Sequence, residues 1–254
     1  MLEIIQLPVL NDNYIYLVLE PVSGKTAAVD PALAQPVLDE LTLRGWSLDF
    51  IFNTHHHGDH VGGNSELKQR TGCKIIGAKA DSQRIPGIDL ALADGDHFEL
   101  GEVRFKILET PGHTRGHIVF YSAEENVLFC GDTLFAMGCG RLFEGTAEQM
   151  WRSLQKLRDL PPETKVYCAH EYTLTNGLFA LTVEPDNEAL KARMIEVQRL
   201  RSENKPTVPS TIALERATNP FLRADETSVK DSINMSNATA LDVFTEVRKR
   251  KDVF

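Results

Sequence analysis

Cysteine is scarce and scattered. Cys73, Cys130, Cys139 and Cys168 are the whole supply in 254 residues, and no two form a C-x-x-C pair. Four thiols so placed are too few to staple a chain this long with disulfides, and their spacing is not that of a zinc ribbon. They read as reduced and mostly buried, although Cys168, two residues before His170, leaves a cysteine nucleophile beside a histidine open. No apolar run approaches the roughly 18 residues that a spanning helix needs. The first ten residues carry Glu3 and no basic stretch, so they do not read as a secretory signal, and a cytoplasmic protein is expected. Positive charge is also short: 27 Lys and Arg face 36 Asp and Glu, a net charge of −9. General attraction to nucleic acid or to an anionic membrane is therefore not expected, and a small-molecule substrate is.

What is concentrated is histidine. The stretch Thr54-His55-His56-His57-Gly58-Asp59-His60 holds four of the eight histidines and a carboxylate, immediately after the apolar run Phe50-Ile51-Phe52. Neutral imidazole and carboxylate oxygen are the donors that borderline divalent metals take. In extended chain His55 and His57 point to one side. Gly58 then permits a sharp turn, so that Asp59 and His60 face another point. Two pairs of donors suggest two metals. The plainer reading is an exposed polyhistidine loop or tag.

The rest of the composition, 42% hydrophobic and 25% charged, is that of an ordinary globular chain with one large domain or two smaller ones. Strand-like runs over 2–7, 13–20 and 25–29, separated by turn residues, predict an opening antiparallel meander. Val37, Leu38 and Leu41 predict a helix that ends at Arg44-Gly45, and a second helix is expected over 64–70. Further strands are expected at 50–53, 74–77, 96–100, 103–109, 118–121, 127–130 and 165–168, while 84–93 stays unassigned. Thr146 and Gln149 form a capping box ahead of Met150, Trp151, Leu154 and Leu157. Beyond about residue 172 strand-like alternation gives way to helical periodicity: Leu190, Met194 and Val197 mark one helix, Leu241, Phe244 and Val247 another, and 205–220 reads as loop.

His113, Asp132 and His170 each follow a predicted strand, as the cluster does. For any one of them a hydrogen-bonded structural histidine or acid is the plainer reading, but their joint placement favours a site. The ordered set His55-x-His57-x-Asp59-His60, His113 in Gly-His-Thr, Asp132 in Gly-Asp-Thr and His170 resembles the binuclear metallo-β-lactamase superfamily. That resemblance implies an α+β fold, a four-layer αββα sandwich with metals at one edge. It implies one ion held by His55, His57 and His113, a second held by Asp59, His60 and His170, and Asp132 bridging both. Asp59 and Asp132 would then flank a metal-bound hydroxide as the catalytic carboxylates, and Asp30 would orient ligand imidazoles.

Three further segments, 138–146, His170-Glu171-Tyr172-Thr173 and Val247-Arg248-Lys249-Arg250-Lys251-Asp252-x-Phe254, resemble glyoxalase II, the hydroxyacylglutathione hydrolases. The resemblance implies a binuclear domain over 1–172 and a helical glutathione-substrate domain over 173–254. It also implies substrate contacts from Arg141, Phe143, Tyr172, Arg248 and Lys251, Arg and Lys being suited to the two carboxylates of glutathione. The expected reaction is hydrolysis of S-D-lactoylglutathione to D-lactate and glutathione, a step of methylglyoxal detoxification, by a monomer carrying two divalent ions. Zinc is first choice, with iron or manganese also suitable. Phe143 stands where many members have a tyrosine, which puts one hydroxyl contact to glutathione in doubt. Arg248 to Lys251 also reads as a solvated basic helix end. His117 is expected to support a loop or strand rather than bind metal, and His56 is left open between a supporting and a structural role. Rival readings are a glutathione persulfide dioxygenase with mononuclear iron, a lactonase or β-lactamase, a nuclease of the same superfamily, and a non-catalytic metal module.

Overall fold

The computed structural model describes residues 1–254. Its chain divides into two compact units, Met1–Glu109 with Arg115–Gly131, and Thr110–Thr114 with Asp132–Phe254.

The first unit opens with the expected meander, β1 (Glu3–Val9), β2 (Asn13–Glu20) and β3 (Lys25–Val29), paired antiparallel. Helix α1 (Ala34–Arg44) follows, and Gly45 closes it at φ 68°, donating its N–H to the Leu41 and Thr42 carbonyls. The crossover makes β4 (Phe50–Phe52) parallel to β3. Helices α2 (Gly58–Val61) and α3 (Asn64–Thr71) lead to β5 (Lys74–Ala78), again parallel. β6 (Leu90–Leu92), inside the stretch that sequence patterning left unassigned, completes a six-stranded sheet. Because β3, β4 and β5 run the same way, the residues after each strand arrive at one edge, and Asp30, Thr54 and Asp81 are brought there in turn.

The second set of strands is antiparallel: β7 (His97–Leu100), β8 (Val103–Glu109), β9 (Ile118–Ser122) and β10 (Val127–Gly131). Alternation puts Phe105 and Ile107 of β8 inward and fully buried, with Arg104 and Lys106 outward. The two sheets of this unit meet through aromatic rings. Phe52 stacks on Phe120 with centroids 4.7 Å apart and meets Phe98 and Phe105 edge on. On the other face of the first sheet, Leu17, Ala28, Ile51 and Ile75 pack with Val37 and Leu41 of α1 and Leu67 of α3. The unit is thus layered helix, sheet, sheet.

Gly58 differs from its expected role. It opens α2, where its backbone needs no left-handed φ and an added Cβ would meet nothing within 4 Å. Hydrogen bonds from the His60 and Val61 N–H groups to the His57 carbonyl make the turn instead. The tight positions are the next two glycines: a Cβ on Gly62 would sit 2.5 Å from the Ala32 carbonyl oxygen, and one on Gly63 2.8 Å from that of Pro31.

In the second unit β11 (Leu134–Phe135) and β12 (Gly138–Cys139) form a short hairpin, with Met137 at φ 56° in its turn. Helix α4 (Ala147–Arg158) carries the expected capping box and buries Met150, Trp151, Leu154 and Leu157. β13 (Lys165–Cys168) is followed by α5 (Thr173–Val183), α6 (Glu188–Ser202), β14 (Ser210–Thr211), α7 (Ile212–Thr218), α8 (Thr227–Ser232) and α9 (Ala240–Asp252). The C-terminal part is helical as expected, and α7 lies in the segment that reads as loop. α7 buries Glu215 completely, where it pairs with Arg193 at 2.7 Å and accepts hydrogen bonds from the Met137 N–H at 2.8 Å and the Asn219 amide at 2.9 Å. One carboxylate thereby ties α6 and α7 to the hairpin turn.

Two outcomes are expected in thermal unfolding. Gly62→Ala lowers stability by about 1–3 kcal/mol through overpacking, whereas Gly58→Ala leaves the melting temperature unchanged or slightly raised. Glu215→Ala, which strands the Arg193 guanidinium, costs about 3–5 kcal/mol.

Candidate metal centre

In the first unit the donors are held by Asp30, which is 3% exposed and sits at φ 47°. Its Oδ1 accepts the Thr54 N–H at 2.8 Å and its Oδ2 accepts the Thr54 hydroxyl at 2.7 Å. The Thr54 hydroxyl has then donated its only proton, so at the 3.1 Å contact with His55 Nδ1 it accepts. His55 carries its proton on Nδ1 and offers a lone pair on Nε2. His60 Nδ1 also donates to Asp30 Oδ2, at 3.1 Å, which leaves its Nε2 lone pair too. A residue held at positive φ and fully buried is a strained position of the kind that supports sites.

Those lone pairs face other donors. His55 Nε2 lies 3.1 Å from His57 Nδ1, as alternation predicts, and His60 Nε2 lies 3.5 Å from Asp59 Oδ2. Asp59 is fixed by Asn13, whose side-chain amide donates to its carboxylate at 3.1 Å and to its carbonyl at 3.2 Å. His117 is fully buried and stacks on His55 at 4.9 Å. His56 turns away and donates to Asp81 at 2.9 Å, which also pairs with Arg84. Gly116 packs so close to Asp81 that a Cβ there would sit 2.1 Å from the carboxylate. Asn13 and Asp81 carry no motif in the sequence. The only hint of Asn13 is its place at the start of β2 after a turn.

The second unit repeats the principle. His113 Nδ1 donates to the Arg141 carbonyl at 2.9 Å, leaving Nε2 its lone pair, 3.4 Å from Asp132 Oδ2. The other Asp132 oxygen, Oδ1, lies 3.3 Å from His170 Nε2. One carboxylate therefore presents a different oxygen to each of two imidazoles. Gly140 is required beside it, since a Cβ there would fall 2.0 Å from the Asp132 carbonyl oxygen. Tyr172 stacks on His170 with parallel rings 4.7 Å apart, and Phe143, largely exposed, meets His113 edge on at 5.2 Å. Arg141 is exposed. Arg248 is 4% exposed: its Nη1 donates to the Cys139 carbonyl at 2.9 Å, its Nη2 pairs with Asp252 at 3.0 Å, and its guanidinium lies over the Phe221 ring. Lys251 is half-buried beside it.

Where the Nδ1 proton is already given to an acceptor, as in His60 and His113, the Nε2 lone pair faces a carboxylate oxygen at 3.5 and 3.4 Å, and two electron-pair donors so placed repel unless positive charge lies between them; this occurs once in each unit. Imidazole with carboxylate is a donor set that fits a divalent metal. The chain's His and Asp groupings, drawn from His55, His57, Asp59, His60, His113, Asp132 and His170, are capable of holding metal ions.

Residues 11–170 match the model of the metallo-beta-lactamase superfamily, and residues 171–254 match that of the hydroxyacylglutathione hydrolase C-terminus. The hydroxyacylglutathione hydrolase of Methylococcus capsulatus is 59% identical over 254 residues, covering 100% of this chain and 99% of that one. Its counterpart from Rhodospirillum rubrum is 52% identical over 253 residues, covering 100% and 99%. Among solved structures, ETHE1 from Myxococcus xanthus superposes with a TM-score of 0.67 at 24% identity, covering 99% of each chain, a likeness of fold alone. TTHA1623 in a di-iron-bound form gives 0.61 at 25% identity, covering 86% of this chain and 99% of that one. The chain belongs to the metallo-beta-lactamase superfamily and, within it, to the hydroxyacylglutathione hydrolase family.

Proposed function

We propose that this protein hydrolyses S-(2-hydroxyacyl)glutathione thioesters, S-D-lactoylglutathione first among them, to the hydroxy acid and glutathione. The observation that carries the reading is that the metal-donor segment and the hydroxyacylglutathione hydrolase C-terminus are matched together, end to end, in one chain. His55, His57 and His113 would hold one ion, Asp59, His60 and His170 the other, and Asp132, which turns one oxygen to His113 and the other to His170, would serve both. The di-iron form of TTHA1623 supports the two-ion reading. Two divalent ions, zinc first with iron or manganese also suited, would supply an acidified water as nucleophile and a positive centre for the carbonyl oxygen.

The chain's own residues do the rest. Asp30 and the Arg141 carbonyl hold the protons of His60 and His113 on Nδ1, so that each Nε2 stays a donor. In hydrolysis the water oxygen bonds to the thioester carbon and the carbon–sulfur bond breaks. Thiolate is stable enough to leave without a general acid. Arg141 and Lys251 would receive the carboxylates of the glutathione moiety, with Tyr172 and Phe143 lining the approach to His170 and His113. Arg248 would contribute its charge from a buried place and would brace the backbone at Cys139.

Covalent catalysis by a thiol does not compete. Cys168 is buried beside the His170 carbonyl, and burial pushes its pKa up to about 12; burial likewise raises Cys139 to about 11. All four cysteines are free and buried, which suits the cytoplasm to which we assign the protein. No helix is long and apolar enough to cross a membrane.

Metal-loaded protein is expected to remove the thioester absorbance of lactoylglutathione, and His55→Ala to remove it no faster than buffer; equal rates for the two would reject the reading. By elemental analysis the wild-type chain should carry two ions, and Asp132→Ala fewer than two. Iodoacetamide at pH 8 should label no cysteine of the folded protein and leave turnover unchanged, since all four are buried and burial also holds Cys139 and Cys168 as thiols well above that pH.

A further inference from the structure

Lys251 is a cation without a carboxylate of its own. Its neighbour Asp252 is committed to Arg248, whose Nε and Nη2 lie 3.1 and 3.0 Å from one oxygen. The Lys251 Nζ instead sits 5.4 Å from the ring centroid of Phe179 and 5.0 Å from that of Phe254, and the two rings meet edge on at 5.5 Å. Phe179, on α5, is 1% exposed and stacks on Phe221, so one wall is rigid; Phe254 is 60% exposed and forms the outer wall. Aromatic faces attract an ammonium through their quadrupole and leave its N–H donors free for an anion. Burial, then the nearby charges of Arg248 and Arg141, hold the Lys251 ammonium below its ordinary pKa. Three cations thus share one patch, and Asp252 balances one of them.

We propose that Phe179 and Phe254 are an aromatic clamp that positions Lys251 for a carboxylate of the glutathione moiety, which makes Phe254 a specificity-determining positioning residue. The proposal rests on the thioester reading above. It differs from plain packing of a lysine stem on apolar surface, because packing needs bulk and the clamp needs a π face.

Full-length, metal-loaded protein separates the two. Phe254→Leu keeps the bulk and removes the ring, while Phe254→Tyr keeps the ring. With lactoylglutathione, Phe254→Leu is expected to raise KM roughly two- to fivefold with kcat moved less, and Phe254→Tyr to restore it. With the diethyl ester of the same thioester, whose carboxylates are blocked, the KM values of wild type and Phe254→Leu should coincide. A wild-type KM for Phe254→Leu on lactoylglutathione, or an equal rise on the esterified substrate, overturns the clamp. No turnover of lactoylglutathione by the wild-type chain would reject the thioester reading, and with it the clamp's role; turnover with an unmoved KM rejects the clamp alone.

Discussion

An imidazole offers a lone pair on one nitrogen only while the other keeps the proton, and much of this structure serves that condition. Asp30 settles it for His60 directly and for His55 through the Thr54 hydroxyl. It does so from a left-handed backbone position at the end of β3, between the strand that carries it and the strand that carries the histidines. The parallel pairing of β3 with β4 is therefore tied to the chemistry: a shift of one residue in register would turn Asp30 or Thr54 to the wrong side of the sheet. The glycines at 62 and 63 belong to the same requirement, because they let α2 and α3 lie against the Pro31–Ala32 backbone and hold His60 within reach of Asp30.

In the second unit the same proton is placed by a main-chain carbonyl. Arg141 holds His113 through its backbone, which leaves its side chain free to face solvent. Phe143 and Tyr172 rest on His113 and His170 as rings. The residues assigned to substrate are thus mounted on those assigned to metal, and displacement of either histidine would carry a substrate contact with it. The hairpin between Asp132 and Arg141 is fastened in turn by Glu215 at Met137, by Asn219 at Phe135 and Gly138, and by Arg248 at Cys139. Helices α7 and α9 and the turn after α7 therefore hold the loop that runs from Asp132 to Arg141.

The donor set was legible in the sequence because its members follow strands, and strand ends are marked by local chemistry: Thr-His-His-His after Phe50–Phe52, Gly-His-Thr after β8, Gly-Asp-Thr after β10. Local devices were legible for the same reason, as with the Thr146 and Gln149 box and the Arg44-Gly45 stop. What orients the donors was not. Asn13 lies 46 positions from Asp59 and Asp81 lies 25 from His56, and no spacing rule connects them. Helix α7 was hidden because two of its three inward residues, Glu215 and Thr218, are polar, and a charged residue such as Glu215 registers as surface until Arg193 is seen beside it. Arg248 carried two readings, a substrate contact and a solvated basic helix end. Four residues on from Phe244 it shares that residue's buried face and lies against Cys139, so the solvated reading does not hold.

The charge of the chain raises the question of how an acidic protein takes an anionic substrate. A net of −9 acts over distances at which physiological salt screens it, within roughly 8 Å, whereas Arg141, Arg248 and Lys251 would act at contact. Of those three, Arg248 is offset by Asp252 and buried, which leaves Arg141 and Lys251 as the cations able to reach a ligand. Two free cations match two carboxylates, and the long-range repulsion of the remaining acids would slow the approach of every anion alike. Selectivity would then come from the patch and not from the field, and substrates that lack carboxylates would lose affinity while keeping access to the same hydrolytic groups. That would place the reaction in the segment that matches a broad superfamily and the preference in the segment that matches the hydroxyacylglutathione hydrolase C-terminus.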